Sequence, residues 1–256
     1  MNLPVDRLHP VLLKPANRPS DTYGDVLKYV TGGYWIDSNH WLHGPQVSQR
    51  PIPEGTLPVG KGGQPIIEPR NAILHTNAGS KGAASLWGFI TNASVSGEPH
   101  FQAGYGTLEQ YMPLNRRADC NYSANRWRDG TTGKYFGAIS FETQDGGSAS
   151  LNTTPWKFSK EGVSQWSSLV NALTCLGVVY GLSCAVPTRW DAPGIGHHVL
   201  YPFQGVGRSA WTNVRGKTCP GAARIKQMDS IRAGVAERLA QFAENTGFKC
   251  GRGVVV

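Results

Sequence analysis

Trp211-Thr212-Asn213-Val214-Arg215-Gly216-Lys217-Thr218-Cys219-Pro220-Gly221 sets a thiol shortly after a lysine and directly before a Pro-Gly turn. Cysteine and histidine are both zinc ligands. Upstream lies Gly194-Ile195-Gly196-His197-His198, and far upstream Ala72-Ile73-Leu74-His75-Thr76 reads as a strand ending at His75. His75, one of His197 or His198, and Cys219 make three protein ligands. Three ligands leave the fourth tetrahedral position open, the arrangement of a catalytic zinc site. Taken singly, each residue more often reads as an ordinary core histidine or an inert cysteine. There is no His-Glu-x-x-His helix, which disfavours a zincin protease.

The chain has 256 residues, enough for one large domain or two small ones, and for a substantial core without staples. Its 32 glycines and 17 prolines argue for many turns rather than a helical bundle. A low charged fraction and eight tryptophans fit a folded chain better than a disordered one. The formal charge of +8 suits attraction to acidic polymers, but the basic residues are scattered. No nucleic-acid motif occurs, so no nucleic-acid partner is expected. No apolar run is long enough to span a membrane, and Met1–Arg7 lacks the pattern of a secretory signal. The five cysteines leave at least one without an intramolecular partner; Cys219 is the natural free one, and Cys175 and Cys184 either pair or stay as buried thiols.

Residues 1–68, rich in Pro, Gly and polar residues, read as an irregular extension packed on or beside a main domain of residues 69–256. Within the extension, a short helix capped by Asp21 or Thr22 runs to Val30, and Trp35, Trp41 and Leu42 are candidates for a packing flap. The main domain shows strand patterns at Asn71–His75, His100–Tyr105, Thr107–Tyr111 and Gly137–Glu142, and a helix over Ser80–Ile90. Pro113–Thr132 reads as a polar loop. A helix capped by Ser159 runs to Tyr180, with an apolar stripe through Val163, Trp166, Leu169, Val170, Leu173 and Leu176. A last helix spans Ser230–Asn245 and ends at Gly247. The order predicts an α/β fold, a mixed central β-sheet covered by helices.

Several of these pieces, in order, carry a resemblance. Ile73-Leu74-His75-Thr76, Pro99-His100-Phe101, Gly106–Tyr111, Gly137–Thr143, Gly194–His198 and Gly216–Gly221 are similar to the zinc-dependent N-acetylmuramoyl-L-alanine amidases, the domain shared by phage lysozyme-like amidases and peptidoglycan recognition proteins. The wording of Asn115–Cys120 and Trp211-Thr212 is most similar to endolysins of phages infecting mycobacteria and related actinobacteria. The resemblance covers about two-thirds of the chain. It implies one zinc ion held by His75, His198 and Cys219, with His197 as the alternate ligand. It implies that Glu142 orients or deprotonates the attacking water and that Lys217 stabilises the oxyanion. His100, Asn115, Arg116, Arg117 and His197 become candidates for substrate contact or for supporting a ligand, the arginines because their fork suits a carboxylate. The implied partner is peptidoglycan, the implied protein a monomer made in the host cytoplasm and reaching the wall after holin-type release.

Two features depart from the family pattern. Some phage relatives carry a catalytic tyrosine immediately before the histidine matched by His100, where this chain has Pro99. Proline has no proton to give, so that role passes to Glu142. The spacing from His198 to Cys219 is also longer, and the extra Tyr201–Arg215 is a candidate substrate-facing loop. Two other readings stay open at this level: a wall-binding domain without hydrolysis, and a zinc hydrolase of another amide. The presence of Cys219 and Glu142 favours the amidase.

Overall fold

The computed structural model describes residues 23–53, 65–77, 82–92, 97–145, 153, 155–156, 164–205 and 209–247. In chain order the elements are α1 (Tyr23–Val30), β1 (Trp35–Ile36), β2 (Leu42–His43), β3 (Val47–Gln49), β4 (Glu68–Leu74), α2 (Gly82–Ile90), β5 (Phe101–Ala103), β6 (Leu108–Gln110), β7 (Trp127–Arg128), β8 (Tyr135–Thr143), α3 (Gln165–Tyr180), β9 (Gly194–His197), α4 (Ala222–Ile225) and α5 (Met228–Thr246). The chain folds as α/β. Seven strands form one mixed sheet in the order β3-β6-β5-β8-β4-β9, with β7 on β8, while β1 and β2 pair separately.

The centre of the sheet is parallel. β4 runs alongside β8 and β9, with Ile73 opposite Ser140 and Gly196, and Leu74 opposite Phe141 and His197. Such strands need helical crossovers, which cover the sheet. Side chains alternate between the two faces. Ala72, Leu74, Ile139, Phe141 and Ile195 enter the large core together with Leu169, Leu173 and Leu176 of α3 and Val235 and Leu239 of α5. Ile73 and Ala138 point the other way, into a smaller cluster with Ala124 and Trp211. One face is thus sealed by helices. The other is lined by loops and stays open for chemistry.

Local chemistry sets the helix ends. The Ser164 hydroxyl accepts from the Ser167 N–H at 3.1 Å, satisfying an otherwise orphaned donor at the start of α3. Gly247, at φ 67°, closes α5 in a left-handed turn that most residues resist.

The predicted helices and strands recur with shifted ends. β4 starts at Glu68 and stops one residue before His75, and β5 holds only Phe101–Ala103 of the segment expected from His100 to Tyr105. Asp21, Thr22, Ser80 and Ser159 lie outside the described residues. β7 lies inside the segment read as a polar loop, and β9 and β1 to β3 are additional strands. Leu42 is buried in the main core and Trp35 packs against it. Cys175 and Cys184 are both free thiols. Among the described residues no helix is long and apolar enough to cross a membrane.

Leu239 is fully buried where α5 approaches α3 so closely that a Cβ added to Gly177 would lie 2.9 Å from its methyl group. Leu239→Ala is expected to lower stability by about 2–5 kcal/mol, read by denaturant titration.

Candidate metal centre

Strand alternation brings the chemistry together. On β4 the residue after Leu74 returns to the open face, so His75 points there. On β8 the residue after Phe141 does the same, which presents Glu142. On β9, Ile195 and His197 belong to the helix face, and His198, the first residue past the strand, opens onto the other face. The open face therefore receives His75, Glu142 and His198 side by side. Cys219 comes in from the loop before α4. One ligand atom from each of His75, His198 and Cys219 lies within 4.8 Å of the others. In a tetrahedral site, bonds of about 2.0–2.3 Å set ligand atoms roughly 3.3–3.8 Å apart, so the three side chains would draw in by about 1 Å around a shared zinc.

The ring of His75 is held from behind. Its Nε2 lies 2.7 Å from Asn121 Oδ1 and, with that oxygen accepting, carries the proton. Nδ1 is then the free nitrogen, and it faces the Glu142 carboxylate at 3.7 Å. The His75 carbonyl accepts from Thr143 Oγ1 at 2.6 Å, and Thr143 Oγ1 in turn accepts from Trp156 Nε1 at 3.1 Å. A histidine ligand is commonly oriented this way, through the nitrogen that does not bind metal.

His198 depends on Trp211. The rings of His75 and His198 lie 4.2 Å apart, and the Trp211 backbone hydrogen-bonds the His198 imidazole. Trp211 is fully buried and its Nε1 donates to the Trp190 carbonyl at 2.7 Å. A Cβ at Gly196 would sit 2.5 Å from the Trp211 ring, so a glycine there lets the indole lie against the strand. The His198 Nδ1 is buried with no hydrogen-bond partner, which leaves its lone pair available to a metal.

Burial decides the protonation of both rings. It pushes His75 down to about 4, with Lys217 adding to the effect and the Asn121 bond opposing it. His198 is pushed lower still, first by burial and then by the charges of His75 and Lys217. Both are neutral imidazoles at neutral pH, the form that ligates. The Cys219 sulfur accepts from the Thr76 N–H at 3.2 Å. Burial and the Glu142 charge raise its thiol, while the Thr76 bond, Lys217 and Arg224 favour thiolate. A metal ion would displace that proton. The donor set of two neutral nitrogens and one sulfur, with one buried nitrogen unpartnered, fits zinc.

Glu142 has its Oε2 buried without a hydrogen-bond partner. Burial lifts its carboxyl to about 7, against the pull of Lys217 and with a push from Asp145. Lys217 is exposed on the wall of a cavity of about 1450 Å³ that also holds His75, Glu142, His198 and Cys219.

The remaining candidates separate in space. His197 sits on the helix face, pushed down to about 4 by burial and by Arg232 of α5. His100 is buried behind the sheet edge, its Nε2 donating to the Arg116 carbonyl at 2.8 Å and its Nδ1 accepting from the Ser140 N–H at 3.2 Å. Asn115 gives its carbonyl to the Ile67 N–H at 2.9 Å, and the Arg116 N–H bonds Pro113. Neither borders the cavity, whereas Arg117, ion-paired to Asp119 at 3.2 Å, does. Arg117 is thus the one of the three loop candidates for peptide carboxylates that reaches the cavity. Trp211, legible only as part of the cysteine stretch, and Asn121, not singled out from sequence, act through contacts between distant segments, which no local pattern encodes.

No family model matches the chain, and the comparison with curated proteins gives no match. Solved structures do resemble it. The catalytic domain of XlyA aligns at 19% identity and a TM-score of 0.46, over 74% of this chain and 98% of that one. A mutant endolysin from Bacillus subtilis aligns at 19% and 0.45, over 74% and 97%. The Staphylococcus aureus hydrolase AmiA in complex with its ligand aligns at 12% and 0.46, over 90% and 97%. Similarity at this level brings no activity with it.

Removing the His75 support tests the centre. Asn121→Ala is expected to weaken zinc binding about 10–100-fold, read by competition with a chelating dye.

Proposed function

We propose that this chain is a zinc-dependent amidase that hydrolyses the bond between N-acetylmuramic acid and L-alanine in bacterial peptidoglycan, serving phage-driven lysis of a host cell. The observation that carries the reading is the convergence of His75, His198 and Cys219 beside Glu142 on the open face of the sheet. The ordered sequence motifs supply the substrate class, and they do so by resemblance.

His75, His198 and Cys219 would hold one zinc ion. Bound zinc supplies a Lewis acid for the amide carbonyl and a more acidic water. Glu142, with a carboxyl near neutrality and an unpartnered oxygen, takes the proton of the attacking water and returns it to the departing L-alanine nitrogen. Lys217 places a positive charge at the cavity wall, where negative charge develops on the tetrahedral oxygen. Pro99 offers no proton, so both transfers fall to Glu142. The net charge of +8 draws the protein to an acidic wall, and it acts there as a monomer after holin-type release. Of the loop candidates Asn115, Arg116 and Arg117, Arg117 stands on the cavity wall and is the proposed contact to peptide carboxylates.

Digestion of mycobacterial-type peptidoglycan tests the reading. Wild type is expected to carry about one zinc per chain and to release new L-alanine amines. Cys219→Ser loses both. Glu142→Gln keeps zinc but loses amine release by about 100-fold or more. Zinc with no new amine would turn the reading to a recognition domain, and a folded wild type that takes up no zinc would overturn it.

A further inference from the structure

The site draws on three separate segments, and one buried group touches all of them. Arg224 of α4 and Asp145, just past β8, are both fully buried, with Nη1 and Oδ2 3.6 Å apart. The Thr76 hydroxyl lies between them. It accepts from Arg224 Nη1 at 2.9 Å and donates to Asp145 Oδ2. Arg224 Nη2 donates to the Gln144 carbonyl at 3.1 Å. Thr76 is one residue beyond His75, Asp145 three beyond Glu142, and Arg224 five beyond Cys219. The Thr76 N–H is also the donor to the Cys219 sulfur.

Neither Arg224 nor Asp145 borders the cavity, so neither meets a substrate directly. A buried ion pair is weak evidence of stability, because desolvation offsets its attraction, and apolar residues of similar volume often serve the fold as well. What this pair does that an apolar pair cannot is fix Thr76 by two directed bonds.

Building on the zinc-site reading above, we infer that the Arg224–Asp145 pair is a positioning device: through Thr76 it holds the Cys219 sulfur in register with His75 and Glu142. Arg224 ties the loop carrying the sulfur to the ends of β4 and β8. Thr76 converts that tie into a hydrogen bond on the ligand itself. The pair acts on the metal through its ligand, as outer partners of metal sites do.

The test uses cobalt(II) as the probe, because a cobalt–thiolate bond absorbs in the near ultraviolet. Arg224→Met combined with Asp145→Leu removes both charges together and leaves neither one buried alone. This double variant is expected to fold, to bind cobalt at least about tenfold more weakly in chelator competition, and to show a diminished or shifted sulfur–cobalt band. Arg224→Lys restores part of the affinity. Leu239→Ala, destabilised far from the site, keeps the wild-type band and so separates positioning from stability. A folded double variant with wild-type affinity and band overturns the inference. Should the double variant not fold, Thr76→Val decides in the same way, since it removes the hydroxyl and keeps the N–H. A folded wild type with no sulfur–cobalt band would instead remove Cys219 from the ligand set and overturn the zinc-site reading along with this one.

Discussion

Parallel pairing of β4 with β8 on one side and β9 on the other is the constraint from which the candidate centre follows. Backbone bonds set Leu74 level with Phe141 and His197, and those three turn toward the helices. The next residue on each strand must then turn the other way. His75, Glu142 and His198 share a face because their predecessors share the core. A slip of one residue in β4 or β8 would exchange His75 or Glu142 for the apolar Leu74 or Phe141, and one in β9 would exchange His198 for His197. The burial of Leu74, Phe141 and Ile195 is therefore also what aims the chemistry.

This arrangement explains what could be read from sequence and what could not. His75, Cys219 and Glu142 stand out because few residue types serve as ligand or base, and each sits beside a strand or turn signal. The choice between His197 and His198 depends on β9, which has four residues, two of them glycine, and gives almost no periodic signal. β1, β2 and β3 are two or three residues long and escape for the same reason. α3 and α5 were legible because sixteen and nineteen residues hold several turns of apolar spacing. Asn121 and Arg224 were invisible. They lie 46 and 148 positions from the groups they support, and their residue types are ordinary on any surface.

Electrostatics at the centre is a contest that burial wins at the histidines. Removal from water keeps both imidazoles neutral. The same removal works against the thiolate and the carboxylate, and the three groups that oppose it at the sulfur, the Thr76 N–H, Lys217 and Arg224, come from different places. One is backbone, one stands exposed on the cavity wall and one is fully buried. Solvent screens the exposed charge far more than the buried one.

The sheet order also governs when the centre can exist during synthesis. A ribosome delivers His75 and Glu142 long before β9 and the Cys219 loop, and β9 occupies the edge of the sheet beside β4. Until β9 docks, the flank of β4 has no strand to carry His198. A nascent chain holding only the first half of these elements presents one imidazole and a carboxylate, a poor trap for metal. A site built from His75, His198 and Cys219 together therefore cannot be complete before β9 and the Cys219 loop have joined the sheet, a step that depends on non-local pairing.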